Sequence, residues 1–186
     1  MPAPSKLQIV ALNQTHDLDS FDCGDVGRNK WLSNRAQANQ RSDDSRTYVL
    51  ADGPEVAGFY ALTVGAVLRG VLPTALRRNA PDNVGCVVLA QLAVAIPLQR
   101  QGYSLELLTH AMGRAANVAE AVGCRLFVVH PAAAWLVAYY AKAGFTKVDT
   151  TPPLMAMSLA TVRKILAKLP TPPACSLPRP PAGTPP

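Results

Sequence analysis

The sequence predicts an α/β domain, a central sheet flanked by helices, and three observations carry that prediction. Residues 84–94 form an almost continuously apolar run that meets a Gln-Arg-Gln-Gly turn and then a helical pattern. A strand, a helix and another strand follow at 125–129, 133–143 and 145–148. Upstream, strand-like runs at 47–51 and 56–63 flank Asp52-Gly-Pro-Glu55, a turn sequence suited to joining antiparallel strands.

Each element has its own signal in chain order. Residues 7–12 read as a first strand. From 25 to 40, Val26, Trp31, Leu32, Ala36 and Ala38 fit a helix after an Asp/Gly-rich entry, with Trp31 and Leu32 turned inward. The hairpin comes next, and 67–83 reads as a long polar, proline-containing connection. Residues 84–94 are too apolar for an exposed edge and take the central strand. The helix beginning near Ser104 places Leu108, Ala111, Met112, Ala115, Val118, Ala119 and Val122 on one face, and Gly123 stops it. Residues 125–129 form another buried strand, 133–143 a helix, and 145–148 with 154–157 finish the sheet. Ser158 is placed to cap a last amphipathic helix that runs to Leu169. Residues 1–169 thus make one domain, and the proline-rich 170–186 read as a flexible, partly polyproline tail.

Composition narrows the class. A chain of 186 residues, 49% hydrophobic with mean hydropathy +0.11, can bury a core of its own. Formal net charge is +6, which favours a polyanionic or acidic partner, although solvated basic faces would give the same balance. Cys23, Cys86, Cys124 and Cys175 are scattered, without a Cys-x-x-Cys pair or zinc-like His spacing, so neither a metal site nor a disulfide framework is expected. Cys86 and Cys124 read as small buried residues. No apolar run approaches the roughly 18–20 residues that span a bilayer, and the N-terminus lacks a leader pattern, so a cytoplasmic protein without a membrane partner is expected.

The turn at 99–104 carries chemistry. The first turn of a helix leaves N–H groups unpaired where the helix dipole is positive, and a pyrophosphate fits there. Gly102 admits close approach of an anion, and Gln99, Arg100 and Gln101 add side-chain donors. An ordinary strand-to-helix turn with polar surface residues is the competing interpretation.

Gln99-Arg-Gln-Gly102-Tyr-Ser104 resembles motif A of the GNAT (Gcn5-related) N-acetyltransferases, Gln/Arg-x-x-Gly-x-Gly/Ala. Residues 128–145, a strand, a helix with Tyr139-Tyr140 and then Gly144-Phe145, look like that family's closing unit. Phe21-Asp-Cys-Gly24, Trp31-Leu32, Arg35-Ala36, Asn39-Gln40 and Ser45-Arg-Thr-Tyr-Val49 are similar to the N-terminal region of the TacT/AtaT-like toxins of type II toxin–antitoxin systems. The resemblance runs over about residues 7–157.

It implies a mixed, mostly antiparallel sheet whose splayed strand pair holds acetyl-CoA, with no metal. Pantetheine would pair with the backbone of Leu92, Ala93 and Val94, and an N–H near Val94 would polarise the thioester carbonyl. Gln99, Arg100, Gln101, Gly102, Tyr103 and Ser104 would hold the pyrophosphate. Tyr140 falls on the family's tyrosine and would protonate the leaving thiolate, since a phenol near 10 can serve a thiol of roughly 8.5; packing on the sheet is its alternative role, and Tyr139 reads as structural. No strong general base is evident: His130, Glu106 and Asp149 are weak candidates. An α-amine with a pKa near 8 is already partly neutral and tolerates that lack.

The subgroup implies acetylation of the α-amine of aminoacyl-tRNA, which blocks translation, with Arg46, Arg77 and Arg78 as phosphate contacts. It further implies a ribbon-helix-helix antitoxin, operator DNA reached only through the toxin–antitoxin complex, and a homodimer. Ser104 replaces Gly or Ala, Ala95 an acidic residue and Gln91 a basic one, which keeps two alternatives open: acetylation of a small amine or protein N-terminus, or a degenerate, non-catalytic tRNA- or antitoxin-binding module.

Overall fold

The computed structural model describes residues 7–169. Its frame is the pairing of two long strands, β3 (Glu55–Leu68) and β4 (Asn83–Val94), antiparallel from Gly58 opposite Val94 to Leu68 opposite Asn83. β2 (Arg46–Asp52) and β1 (Gln8–Ala11) extend the sheet on the β3 side, both antiparallel. On the β4 side lie β5 (Leu126–Val129), β7 (Leu154–Ser158) and β6 (Thr146–Val148), giving the order β1-β2-β3-β4-β5-β7-β6. Only β4 and β5 run parallel. The sheet is therefore mixed and mostly antiparallel, as expected.

Strand alternation sends successive side chains to opposite faces. Leu50, Tyr60, Leu62 and Leu89 meet the helix α4 (Tyr103–Val122), whose buried stripe is Leu107, Leu108, Ala111, Met112, Ala115, Ala116 and Ala119. α5 (Ala134–Lys142) joins that core through Tyr140, and α6 (Leu159–Leu166) through Leu159 and Val162. Val49, Ala51 and Phe59 face the other way, against Leu32 and Ala36 of the N-terminal helical segment. That segment comprises α1 (Val26–Trp31), a π-helical turn (Leu32–Ala36) and α2 (Gln37–Arg41). Trp31 stacks on Phe59 with ring centroids 5.9 Å apart.

Caps follow the sequence signals. The Asp25 carboxylate accepts from the Arg28 N–H at the start of α1, and Ser158 accepts from the Thr161 N–H ahead of α6, which ends at Leu166 rather than Leu169. Two further expectations needed correction. Residues 67–83 are not one connection: β3 continues to Leu68, and a 3-10 turn (Arg69–Val71) and α3 (Thr74–Arg77) follow. The extension exists because Val64 to Leu68 find β4 as a partner, which Val-Gly-Ala-Val-Leu does not announce locally. On α4, Val122 is 72% exposed at the last turn, whereas Leu107 and Ala116 are buried. The tail assigned to 170–186, with Cys175, lies outside the described residues.

Gly144, just beyond α5, has φ +100°, a left-handed value that only glycine adopts without strain. A Cβ there would lie 3.2 Å from Ile165 Cδ1 and 3.4 Å from Met157 Cε. Gly144→Ala is expected to cost about 1–2 kcal/mol. Thermal unfolding should show this as a Tm lower by about 2–8 °C; an unchanged Tm would remove the constraint.

Candidate active site

The site begins where a strand loses its neighbour. β4 and β5 pair only from Cys86 opposite Leu126 to Leu89 opposite Val129, after which β4 runs on to Val94 while the other chain turns away at His130-Pro131. A bulge marks the parting: Leu89 sits opposite Leu62 and Gln91 opposite Ala61, so Ala90 is the extra residue. Bulges bend a strand and re-aim it. The result is a cleft of about 870 Å³, within the range of small-molecule sites. One wall is the open edge of β4 from Leu89 to Val94; α5 contributes Trp135, Leu136, Tyr139 and Tyr140, and the entry loop contributes Cys23, Gly24, Asp25 and Arg28.

The edge is chemically usable. The Ala95 N–H donates to Ala57 O on β3 at 2.9 Å. Antiparallel ladders point alternate residues opposite ways, so the N–H groups of Val94 and Leu92 face the cleft.

At one end of this edge, a 3-10 turn (Ile96–Leu98) leads into residues 99–102 and α4. Arg100 has φ +63° and Gly102 φ +93°. Left-handed residues interleaved in a turn gather N–H groups into an anion-binding concavity. Among the described residues, the N–H groups of Arg100, Gln101, Gly102, Tyr103 and Ser104 have no protein acceptor. They open the 20-residue helix α4, whose dipole adds positive charge at that end. Glu106, also in the first turn, is exposed.

Leu92, Ala93, Val94, Gln99, Arg100, Ser104 and Tyr140 line the one cleft, and Gln101, Gly102 and Tyr103 complete the same loop and helix start. Both glutamine side chains donate to carbonyls of the protein. Gln99 Nε2 donates to Val94 O at 3.0 Å and Cys23 O at 2.9 Å, and Gln101 Nε2 donates to Pro97 O at 2.8 Å. Both Gln99 amide hydrogens and one of those of Gln101 are thus engaged by backbone carbonyls, while the main-chain N–H groups and the Arg100 guanidinium are open to an anion.

Arg46, Arg77 and Arg78 lie elsewhere. Arg46 pairs with Asp43 and donates to Gln40 O. Arg77 donates to Thr74 Oγ1, and Arg78 presents its carbonyl to Arg125. Arg77 and Arg78 precede the first residue of β4, so the strand's length, roughly 35 Å, separates them from Val94.

Tyr140 is 4% exposed, its ring edge-on to Tyr139 and Phe145, and its hydroxyl has no protein partner. Burial above all, then the neighbouring Tyr139, pushes its pKa up to about 12, while the Arg28 guanidinium pulls the other way. The Tyr139 hydroxyl is shut off from solvent without a hydrogen bond. Burial raises its pKa too, and the nearby Ser104 hydroxyl lowers it. His130 borders the cleft with Nδ1 against Pro153 O at 3.2 Å, whereas Glu106 and Asp149 do not line it. Arg28 forms an ion pair with Asp25 at 2.8 Å. Sequence reasoning had missed Asp25 and Arg28 as site residues. Their signal was the cap: a carboxylate at the N-cap with a cation three residues on fixes both at the first turn of α1.

The described residues contain no group of three or more His, Cys, Asp or Glu suited to a metal ion, and no helix long and apolar enough to cross a membrane. A model of the acetyltransferase (GNAT) family matches residues 12–145. The tRNA-acetylating toxin of Mycobacterium tuberculosis (strain ATCC 25618 / H37Rv) is 34% identical over 148 residues, 80% of this chain and 89% of the toxin. Among solved structures, AtaT complexed with acetyl-methionyl-tRNAfMet superposes with TM-score 0.80 at 26% identity, over 86% of this chain and 99% of that one. AtaTR bound with AcCoA gives TM-score 0.75 at 26% identity, over 86% and 97%. With the family model spanning β2 to β5, the open edge of β4, the anion loop and Tyr140, the chain belongs to the acetyltransferase (GNAT) family.

Proposed function

We propose that this chain moves the acetyl group of acetyl-CoA onto the α-amine of an aminoacyl-tRNA, as the toxin of a type II toxin–antitoxin pair. The observation that carries this reading is the continuous run from unpaired N–H groups at 100–104, along the open edge of β4, to the unpartnered Tyr140 phenol. The acceptor class draws support from the mycobacterial relative and from AtaT with acetyl-methionyl-tRNAfMet. AtaTR bound with AcCoA supports the donor. A ribbon-helix-helix antitoxin, operator DNA bound through it, a homodimer and a cytoplasmic location belong to the same proposal.

The residues fit such a donor. The N–H groups of 100–104, with Arg100, take the pyrophosphate, and the edge formed by Leu92, Ala93 and Val94, with the polar groups of Leu92 and Val94 turned to the cleft, takes the pantetheine amides as an added strand would. Acetyl-CoA supplies an activated thioester whose cleavage leaves a thiolate. The Val94 N–H, aimed into the cleft, is the donor for the carbonyl oxygen where negative charge develops. Tyr140 holds its proton at Oη and passes it to the departing sulfur. A phenol pushed up to about 12 is a weaker acid than a free one, and a short hydrogen bond to the departing sulfur, formed in the transition state, offsets part of that cost.

No side chain in the cleft is placed as a strong base; an aminoacyl α-amine, a large fraction of it neutral near pH 8, attacks without prior deprotonation, and the proton that nitrogen sheds once the C–N bond has formed returns by way of water to the Tyr140 phenolate. A tRNA also accounts for the outlying cations: its body extends tens of Å from the reactive end, far enough to meet Arg46, Arg77 and Arg78, whose charges would make binding salt-dependent.

With labelled acetyl-CoA and a pool of charged tRNAs, label should appear on the aminoacyl moiety and fall about tenfold or more in Tyr140→Phe, roughly 1.4 kcal/mol of transition-state stabilisation. Because Tyr140 keeps its proton below about pH 12, the wild-type to Phe ratio should stay flat from about pH 7 to 9. No label on any tRNA, in a protein that binds acetyl-CoA, would sink the acceptor assignment. A Cβ at Gly102 meets nothing within 4 Å, so Gly102→Ala strains only the loop's φ. By calorimetry its Kd for CoA should rise about tenfold; an unchanged Kd would remove the cradle from the cofactor site.

A further inference from the structure

We propose that Gln99 is a positioning residue: it fastens the entry loop of the cleft to the end of β4 and holds the Val94 peptide at the edge. This rests on the acetyltransferase reading of the same cleft. The primary amide of Gln99 has two hydrogens, and each has a carbonyl acceptor, Val94 O at 3.0 Å and Cys23 O at 2.9 Å. The second bond joins residues 76 apart in sequence.

The two bonds have distinct consequences. By the alternation that aims the Val94 N–H into the cleft, the Val94 carbonyl faces the same way. Gln99 covers that oxygen, so the edge presents a donor beside a masked acceptor, the polarity that a thioester carbonyl requires. On the other side, the entry loop is braced within itself: Asp22 Oδ1 accepts from Gly24 N and Asn29 Nδ2, both at 2.8 Å, and Asn29 Oδ1 accepts from Cys23 N at 3.1 Å. A unit braced in this way moves as one body with α1. Its polar attachments to the segment after β4 are the Ile96 N–H to Asp22 O bond at 2.9 Å and the Gln99 bond. Asp25 and Arg28 ride on that body, and Arg28 comes near enough to Tyr140 to act on its charge. Gln99 therefore sets the distance between the entry-loop wall and the open edge of β4.

The side chain is exposed, so substitution leaves the core intact. Gln99→Glu keeps its shape and removes both donors; Gln99→Leu removes all polarity. Three readouts separate positioning from phosphate binding: the Kd for CoA, amide hydrogen exchange at residues 22–28, and the KM and kcat of acetyl transfer to charged tRNA. Gln99→Leu, which adds no charge beside the anion loop, is expected to bind CoA within about twofold of wild type; both variants are expected to exchange about fivefold or more faster at 22–28 and to show a raised acceptor KM with a lowered kcat. A CoA Kd raised about tenfold with unchanged exchange at 22–28 would overturn the proposal, as would exchange and kinetics both unchanged. The exchange and CoA measurements need no tRNA, so failure of the acceptor assignment would show in the transfer assay alone.

Discussion

The parting of β4 from β5 after Leu89 is the constraint on which the rest of the molecule depends. A sheet interior ordinarily satisfies every main-chain donor and acceptor with its neighbours. Here the bulge at Ala90 ends that pairing with five residues of β4 still to come, and the open edge can be completed only by water or by a ligand with strand-like amides. The sheet can carry such an edge because the other edge of β4 stays paired with β3 as far as Gly58 opposite Val94. α5 then covers the gap with aromatic side chains, without supplying a strand.

Main-chain geometry supplies most of the binding chemistry. Five successive N–H groups without a protein acceptor lie at a helix start, at the left-handed residues Arg100 and Gly102, the arrangement that suits an anion. Few charged side chains line the cleft: Arg100 by the loop and the Asp25–Arg28 pair at the entry. The entry loop and the first turn of α1 form another wall of the cleft, joined to the end of β4 by the Gln99 bond to Cys23 O.

Much of this was legible in the chain itself. The apolar run of β4, the stripe of α4 and the caps at Asp25 and Ser158 signal their elements because each depends on residues close in sequence. The extent of β3 and the site role of Arg28 did not, because the first requires a partner strand some twenty residues away and the second requires α1 to be laid against the end of β4. The glutamines at 99 and 101 show a further limit. Composition identifies a donor, but only the fold decides which acceptor receives it, and here nearby carbonyls take both side chains. Arg77 and Arg78 are similar: their charge is plain in the sequence, and their distance from Val94 is set by β4.

The most direct test is a crystal structure of the chain with acetyl-CoA. The expected result is pyrophosphate on the N–H groups of 100–104, pantetheine paired along Leu92 to Val94, the thioester oxygen at the Val94 N–H, and the sulfur within hydrogen-bond reach of Tyr140 Oη. Pantetheine lying away from the open edge of β4, or a sulfur remote from Tyr140, would contradict it.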